Sequence, residues 1–481
     1  MKKILSIILL FTLLIACKEE KKAEEKTDET TNEVISPVSA ALSENAVIYE
    51  ANIRQYSPEG TFSAFTKDIP VLKELGVKII WVMPINPISE IKRKAAGDKF
   101  TSEIEDENER KKYLGSYYSV SDYKAVNPEF GNLDDFKNLV KTAHKNGIYV
   151  IIDWVPNHTG WDHPWITAHP DFYTQNEKGE IIDPVNPETG ESWGWTDTAD
   201  LNYDNPEMRK EMINDMKYWI DTADIDGFRM DVAHSVPVDF FNTAIAEMNK
   251  VKPVFMLAEA EKKELLKGAN AFDMHYGWEL HHILNDIAKG SRTVKTFDEY
   301  MVKIDTVLEA DDINMNFLTN HDENSWAGTL KERMPNNKEV FTALIYTMPG
   351  MPLIYSGQEY DLSHRLKFFE KDSIPKAKSA YFDLLKKLGA LKNENMAVNG
   401  GKQAAIYKRL ATNDDAKILA FERSKDGKKV VFIANLSAEP VEAVVESSGS
   451  FVDYLSDEKV MLKSDEEIDL EPWQYHILIA E

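Results

Sequence analysis

Ile148-Tyr149-Val150-Ile151-Ile152-Asp153-Trp154-Val155, read beside Gly227-Phe228-Arg229-Met230-Asp231-Val232, decides the fold of this chain. Each is a short, mostly apolar run that hands over to polar residues: Asn157 and His158 follow the first, and Asp231 sits near the end of the second. Continuous apolar runs separated by amphipathic stretches read as parallel strands buried on both faces. Working outward, like runs occur at Val47–Asn52, Val77–Pro84, Val254–Glu259, Ala271–Met274, Asn314–Asn320 and Pro352–Ser356. Helical patterns lie between several of them, as at Leu133–Lys145, Glu207–Thr222 and Pro237–Lys250. Eight such units predict an α/β fold, a (β/α)8 barrel. An open doubly wound sheet is the alternative, but no Gly-rich phosphate fingerprint follows the first run.

Two segments break the rhythm. Residues 158–204 interrupt the third and fourth runs with Trp161, Trp165, Trp193 and Trp195 and little helical period, which predicts a small inserted domain. From residue 397 the pattern turns to short alternating strands such as Ala404–Arg409, Ile418–Arg423 and Lys429–Asn435. Residues 397–481 therefore read as an antiparallel β-sandwich, which leaves 47–157 and 205–396 as the two parts of the barrel.

The N-terminus carries a different message. Lys2 and Lys3 precede the apolar run Ile4–Ile15, which is too short to span a bilayer, and then Ala16 and the sole cysteine, Cys17. Residues 1–17 read as a signal peptide, and Leu14-Ile15-Ala16-Cys17 resembles a bacterial lipobox in which Cys17 is lipidated. A secreted, membrane-anchored lipoprotein is expected, touching the membrane through that anchor alone, on the periplasmic face or the cell surface. With no second cysteine, no internal disulfide is available. Residues 18–46 open Lys18-Glu19-Glu20-Lys21-Lys22 and read as a disordered tether. A formal net charge of −25 argues against a nucleic-acid partner. The sequence carries no signal for an oligomeric state.

The candidate chemistry lies where the runs end, because in a barrel those ends converge on one rim. Asp231 shares a strand face with Arg229, two residues away, which favours its ionised form, as a nucleophile requires. Glu259 closes an apolar run, a setting that suits a proton donor; Glu261 competes for that role from the same face. His321-Asp322 adds a third carboxylate and a histidine, although two adjacent residues are by themselves a weak signal. Cutting a glycosidic bond needs such a carboxylate pair flanking the scissile bond.

Taken in order, these stretches resemble the α-amylase family of glycoside hydrolases (glycoside hydrolase family 13), from about Val47 to the end of the chain. The resemblance rests on Asp153-Trp154-Val155-Pro156-Asn157-His158, Gly227–Asp231, Leu257-Ala258-Glu259 and Asn320-His321-Asp322. It is extended by Gly76–Pro84, Gly350–Gln358, Asp200-Leu201-Asn202 and Tyr118-Ser119-Val120-Ser121-Asp122-Tyr123. It implies a barrel with a domain inserted after the third strand and a retaining hydrolase of α-glucosidic bonds, mainly α-1,4, in starch-type glucans or maltooligosaccharides. Asp231 would be the nucleophile, Glu259 the proton donor and Asp322 the transition-state stabiliser. Tyr118, His158, Arg229 and His321 would bind or orient the sugar or the nucleophile. An α-glucan transglycosylase or trehalose-forming isomerase of the same fold is the alternative reading. A non-catalytic glucan-binding protein is disfavoured because all three carboxylates stand.

Many relatives carry a lysine three residues and a histidine four residues after the nucleophile, where this chain has His234 and Ser235. Chloride-activated members have a basic residue shortly after the third carboxylate, where Ser325 follows Asn324 here. Asn157 and Asp200 occupy places that bind calcium in many members and suit oxygen ligation; a purely hydrogen-bonding role is the equal alternative.

Overall fold

The computed structural model describes residues 37–97, 99–186, 189–309 and 312–481. The signal peptide, Cys17 and most of the expected tether lie outside the described residues. The last residues of that tether do not match the expectation. Ala40–Ser43 is a helical turn capped by Ser39, and Glu44 is buried and accepts a hydrogen bond from the Gln403 amide at 2.5 Å. Val38 and Leu42 pack against the apolar interior of the barrel, and this hydrophobic contact is why the segment is ordered before Val47.

Eight parallel strands close the barrel: Val47–Ala51, Val77–Val82, Tyr149–Trp154, Gly227–Met230, Phe255–Ala258, Met274–Tyr276, Ile313–Asn316 and Met351–Tyr355. Each pairs with its sequence neighbours in the barrel, and the eighth returns to the first through Ile48↔Leu353 and Glu50↔Tyr355. The sixth strand differs from the expected Ala271–Met274. The polar His275 masks the run in sequence, but Met274 and Tyr276 flank it and face the interior, while Phe272 packs outside on Phe241. The seventh strand ends at Asn316, so Asn320, His321 and Asp322 stand on the loop beyond it.

Local sequence sets the helices. In Leu133–Lys145, found as expected, the Asn132 side chain accepts from the Asp134 and Asp135 amides and Asp135 answers to the Asn132 amide, a capping box. Gly227 opens the fourth strand where a Cβ would lie 1.9 Å from the Phe255 carbonyl oxygen; only glycine lets the fourth and fifth strands come this close.

Between the third and fourth strands, His158–Gly160 and Thr198–Asp200 form a small antiparallel pair that anchors the insertion. Beyond the barrel, Ile406–Arg409, Ile418–Lys425, Lys428–Asn435, Tyr475–Ala480, Gly449–Asp453 and Lys459–Leu462 pair in that order into a six-stranded antiparallel sheet. A second sheet pairs Val441–Ala443 with Ile468–Leu470. Fully buried Arg423 fastens this domain to the barrel side, donating to the carbonyls of Thr347 (2.8 Å), Asn399 (2.6 Å) and Ala405 (3.1 Å).

Candidate active site

Side chains alternate along a strand, and this alternation builds the site. The inward positions are apolar low in the barrel and charged at its C-terminal rim: Ile48 then Glu50, Ile151 then Asp153, Gly227 then Arg229 and Asp231, Leu257 then Glu259. Register sets Arg229 opposite Asp153 on one side and Leu257 on the other.

Arg229, fully buried, is the hub of one half of the rim. Its Nη1 donates to Asp153 Oδ1 and Asp231 Oδ1, both at 2.9 Å, and its Nη2 lies 2.9 Å from Glu259 Oε1. Asp153 also accepts from Trp81 Nε1 at 3.1 Å and from the Tyr118 hydroxyl at 3.2 Å. Val232, next to Asp231, is held at φ 45°, a left-handed conformation that costs a β-branched residue about 1–3 kcal/mol. Its amide donates to Glu259 Oε2 at 2.8 Å, so the strained turn ties the two candidate catalytic carboxylates together.

His321 is the hub of the other half. Its Nδ1 lies 2.5 Å from Glu50 Oε1, and its Nε2 lies 2.8 Å from the Tyr118 hydroxyl and 3.3 Å from Asp322 Oδ2. The Tyr118 ring stacks on the imidazole, with centroids 5.4 Å apart. Burial works against a charged imidazole, yet Asp322 and Glu50 outweigh it and raise the His321 pKa to about 9. At neutral pH it is an imidazolium. His158 is the opposite case: burial lowers it to about 3, and it stays neutral.

The charge on Asp231 departs from the sequence expectation. Burial first, and the Glu259 carboxylate second, push its carboxyl well above the ordinary range, and Arg229 pulls it back only in part. The reason is stoichiometric: one guanidinium serves three carboxylates, and Asp153 is itself raised to about 6, chiefly by burial. A neutral, protonated Glu259, the form in which it can donate, would remove the second of those pushes on Asp231.

Above these groups opens a cleft of about 930 Å³, at the upper end of the range for small-ligand sites. Tyr118, His158, Asp231, Glu259, His321 and Asp322 line it, with Arg229 buried beneath. Glu261 is turned away, accepting from the Glu279 amide at the start of helix Trp278–Ala288. The insertion's tryptophans divide: Trp165 is buried against Tyr123 and Phe172, and Trp161 lies under Lys92. Trp193 and Trp195 stack on each other and line the cleft. His234 is exposed and outside it, with its carbonyl oxygen accepting from Lys262 Nζ.

Sequence reasoning missed Glu50, the supporting role of Asp153, and an aromatic group on the far wall made of Trp326, Phe368 and Phe369. Glu50 had a signal: it is a lone charge inside the apolar run Val47–Asn52, two residues from inward-facing Ile48. The aromatic group had none, because its members come from two loops far apart in sequence.

Asn157 and Asp200 lie together at the base of the insertion, where the Leu201 amide donates to the Asn157 carbonyl at 3.1 Å and His158 pairs with Asp200 across the small sheet. The Asn157 amide nitrogen is engaged with His158 Nδ1 at 3.2 Å, and burial raises Asp200 to about 6 with Thr174 as its side-chain partner; the Asn157 side-chain oxygen and the Asp200 carboxylate are the atoms that would hold calcium. Among the described residues no three His, Cys, Asp or Glu side chains converge as metal ligands.

A closed parallel barrel with carboxylates around its C-terminal mouth, an insertion after the third strand and a β-sandwich behind defines a class: the barrel glycosidases. Within it, the chain belongs to the α-amylase family of glycoside hydrolases. The family's catalytic domain (Alpha amylase, catalytic domain) matches residues 26–426, and the Maltogenic Amylase, C-terminal domain matches residues 408–477. The maltogenic α-amylase of Bacillus acidopullulyticus is 27% identical over 410 residues, 80% of this chain and 64% of that protein. Alpha-amylase 3 of Dictyoglomus thermophilum is 26% identical over 350 residues, 66% of this chain and again 64% of that protein. This chain thus spans less than two thirds of the length of these relatives. Among solved structures, the maltogenic α-amylase AmyB of Thermotoga neapolitana superposes with a TM-score of 0.79 at 25% identity, covering 91% of this chain and 99% of that one. The α-amylase of Lactobacillus plantarum gives 0.76 at 27% identity, covering 92% and 100%. Family and fold are as the motifs implied.

Proposed function

We propose that the chain is a retaining hydrolase of α-glucosidic bonds, mainly α-1,4, in starch-type glucans or maltooligosaccharides. The observation that carries this reading is the Arg229 hub, which holds Asp231 and Glu259 each within 2.9 Å of one guanidinium on the floor of the cleft, with Asp322 lining the same cleft. Asp231 attacks the anomeric carbon while Glu259 gives its proton to the departing oxygen, leaving a glycosyl ester on Asp231. Glu259, now a base, takes a proton from water as that water displaces Asp231, and the configuration is retained. Asp322 and imidazolium His321 bind hydroxyls of the distorted ring, Tyr118 packs on its apolar face, and neutral His158 hydrogen-bonds at its edge. We also propose that Cys17 carries a lipid that anchors the enzyme at the periplasmic face or the cell surface, a reading supported by the Leu14–Cys17 motif and the basic, apolar leader before it.

The test is incubation with maltoheptaose and soluble starch, with products followed by chromatography and NMR and Asp231→Asn as control. Short α-anomeric maltooligosaccharides, absent with the variant, support the reading. Longer products or trehalose with little new reducing sugar would replace hydrolysis by transfer, and inactivity on every α-glucan would end it. For the anchor, loss of palmitate labelling in Cys17→Ser is expected; equal labelling of both chains would refute it.

A further inference from the structure

We propose that Trp326, backed by Phe368 and Phe369, is a sugar-stacking platform that holds a glucose unit across the catalytic centre from the Trp193–Trp195 pair, so that the cleft grips its glucan on both sides. The proposal rests on the α-glucan reading above and names how that substrate is held.

Exposure is the first observation. Among the described residues, the aromatic side chains left substantially in water are Trp193, 40% exposed, and Trp326, 57% exposed, and both line this one cleft. A large apolar ring held at a cleft wall recovers its hydration cost when a flat apolar face covers it, and the C–H face of a glucose ring is such a surface. A core-filling role does not account for Trp326, since more than half of it is uncovered.

Topology supplies the second observation. Trp193 and Trp195 belong to the insertion after the third barrel strand, and Trp326 to the loop after the seventh. In the closed strand order these two strands are four steps apart in either direction. The two platforms therefore stand on opposite sides of the rim, with the carboxylates between them.

The third observation is preorganisation. Glu323–Ala327 forms a π-turn directly after Asp322, a rare geometry that recurs at functional sites. Arg333 spans it, donating from Nη2 to the Leu318 carbonyl at 2.7 Å and from Nε to the Gly328 carbonyl at 3.0 Å. Glu323 is pinned by His281 at 3.1 Å. Asn324 Oδ1 accepts from the Leu366 amide at 2.8 Å, which couples the π-turn to the loop that carries the two phenylalanines. That loop is fixed in turn by Leu114 N–H to the Phe369 carbonyl at 2.7 Å and by Arg54 Nη1 to the Phe368 carbonyl at 3.3 Å. The Trp326 ring lies 5.3 Å from Phe368 and 6.0 Å from Phe369, so it is braced from behind while its outer face stays open.

The experiment compares Trp326→Ala, Trp326→Tyr and the unaltered full chain on maltotriose and maltoheptaose. It also measures maltoheptaose binding by calorimetry in the Asp231→Asn background with and without Trp326→Ala. Loss of the platform is expected to lower kcat/KM on maltoheptaose ~2- to 10-fold more than on maltotriose, chiefly through KM, and to weaken binding by a similar factor, the scale of one aromatic contact. Trp326→Tyr should recover most of the difference. Equal losses on both substrates with a lowered Tm would assign Trp326 to packing, and an unchanged substrate ratio would also overturn the platform. An unaltered chain that cleaves neither sugar, with an Asp231→Asn form that binds none, would instead overturn the α-glucan reading and the platform with it.

Discussion

Arg229 and His321 are both buried cations shared among carboxylates, but they are built differently. Arg229 rises from the inside of a strand and serves Asp231 at the end of that strand and Asp153 and Glu259 on the two neighbouring ones or their ends. His321 stands on a loop five residues past the end of its strand and serves Glu50 and Asp322. A guanidinium keeps its charge at any working pH, whereas an imidazole can lose it. The strand-borne hub fixes geometry, and the loop-borne hub brings a titratable charge to the same cleft. The Arg229 half should therefore fail by mutation alone and the His321 half by pH as well.

The largest effect belongs to the Arg229 half. Asp231→Asn keeps the size of the side chain but cannot form the glycosyl ester, and kcat on maltoheptaose should fall on the order of 10⁴-fold or more. Glu259→Gln should cost ~10²–10⁴-fold and spare substrates whose leaving group needs no proton. Comparable rates on an activated aryl glucoside and on maltoheptaose in Glu259→Gln would remove Glu259 from the donor role.

Next comes the hub itself. Arg229→Ala leaves three carboxylates buried or nearly so around a missing cation, and breaking a buried pair in this way typically costs about 3–5 kcal/mol. Urea unfolding should show that loss along with loss of activity. A fully stable but inactive Arg229→Ala would mean that the carboxylates shed their charge without help.

The same contrast explains what the sequence made legible. Strand-borne groups follow a period of two, so the sequence alone places Arg229 and Asp231 on one strand face and Glu259 at the close of the next run. Asp153 and Glu50 obey that rule too, but a charge inside an apolar run identifies itself as a member of the site only once its partners across the barrel are seen. His321-Asp322 was readable from its place just past the run Asn314–Asn320, but as a weak two-residue signal to which only the family motif gave roles, since no periodicity carries past Asn316. Trp326 and Phe368 meet through two loops whose path is set by Arg333, Asn324 and Arg54, contacts with no local pattern. The ordering of residues 37–46 was hidden because Val38 and Leu42 find their partners inside a barrel that begins after them.

On the His321 side the predictions turn on pH. Its pKa in the folded chain, about 9, lies above the ordinary histidine value of 6.5. Its contribution to stability is thus fully present below pH 6.5 and is lost as pH rises through 9. The proton at Nε2, shared with Tyr118 and Asp322, is lost over the same range, so kcat/KM should decline above pH 9. His321→Asn should lower activity and erase that alkaline limb. A limb that persists unchanged in the variant would place the titration elsewhere.

The smallest effect sharpens the comparison most. Glu50→Gln removes one of the two carboxylates that hold the imidazolium, while its amide oxygen can still accept from Nδ1. Geometry is kept and only charge is withdrawn, so the alkaline limb should move down by about one pH unit or more with little change in rate at neutral pH. The equivalent change on the other hub, Asp153→Asn, should displace no limb tied to Arg229, because a guanidinium does not titrate in that range. NMR of the His321 ring through the titration reads the shift directly. A limb fixed at about 9 in Glu50→Gln would assign the imidazolium to Asp322 alone and make Glu50 a positioning group.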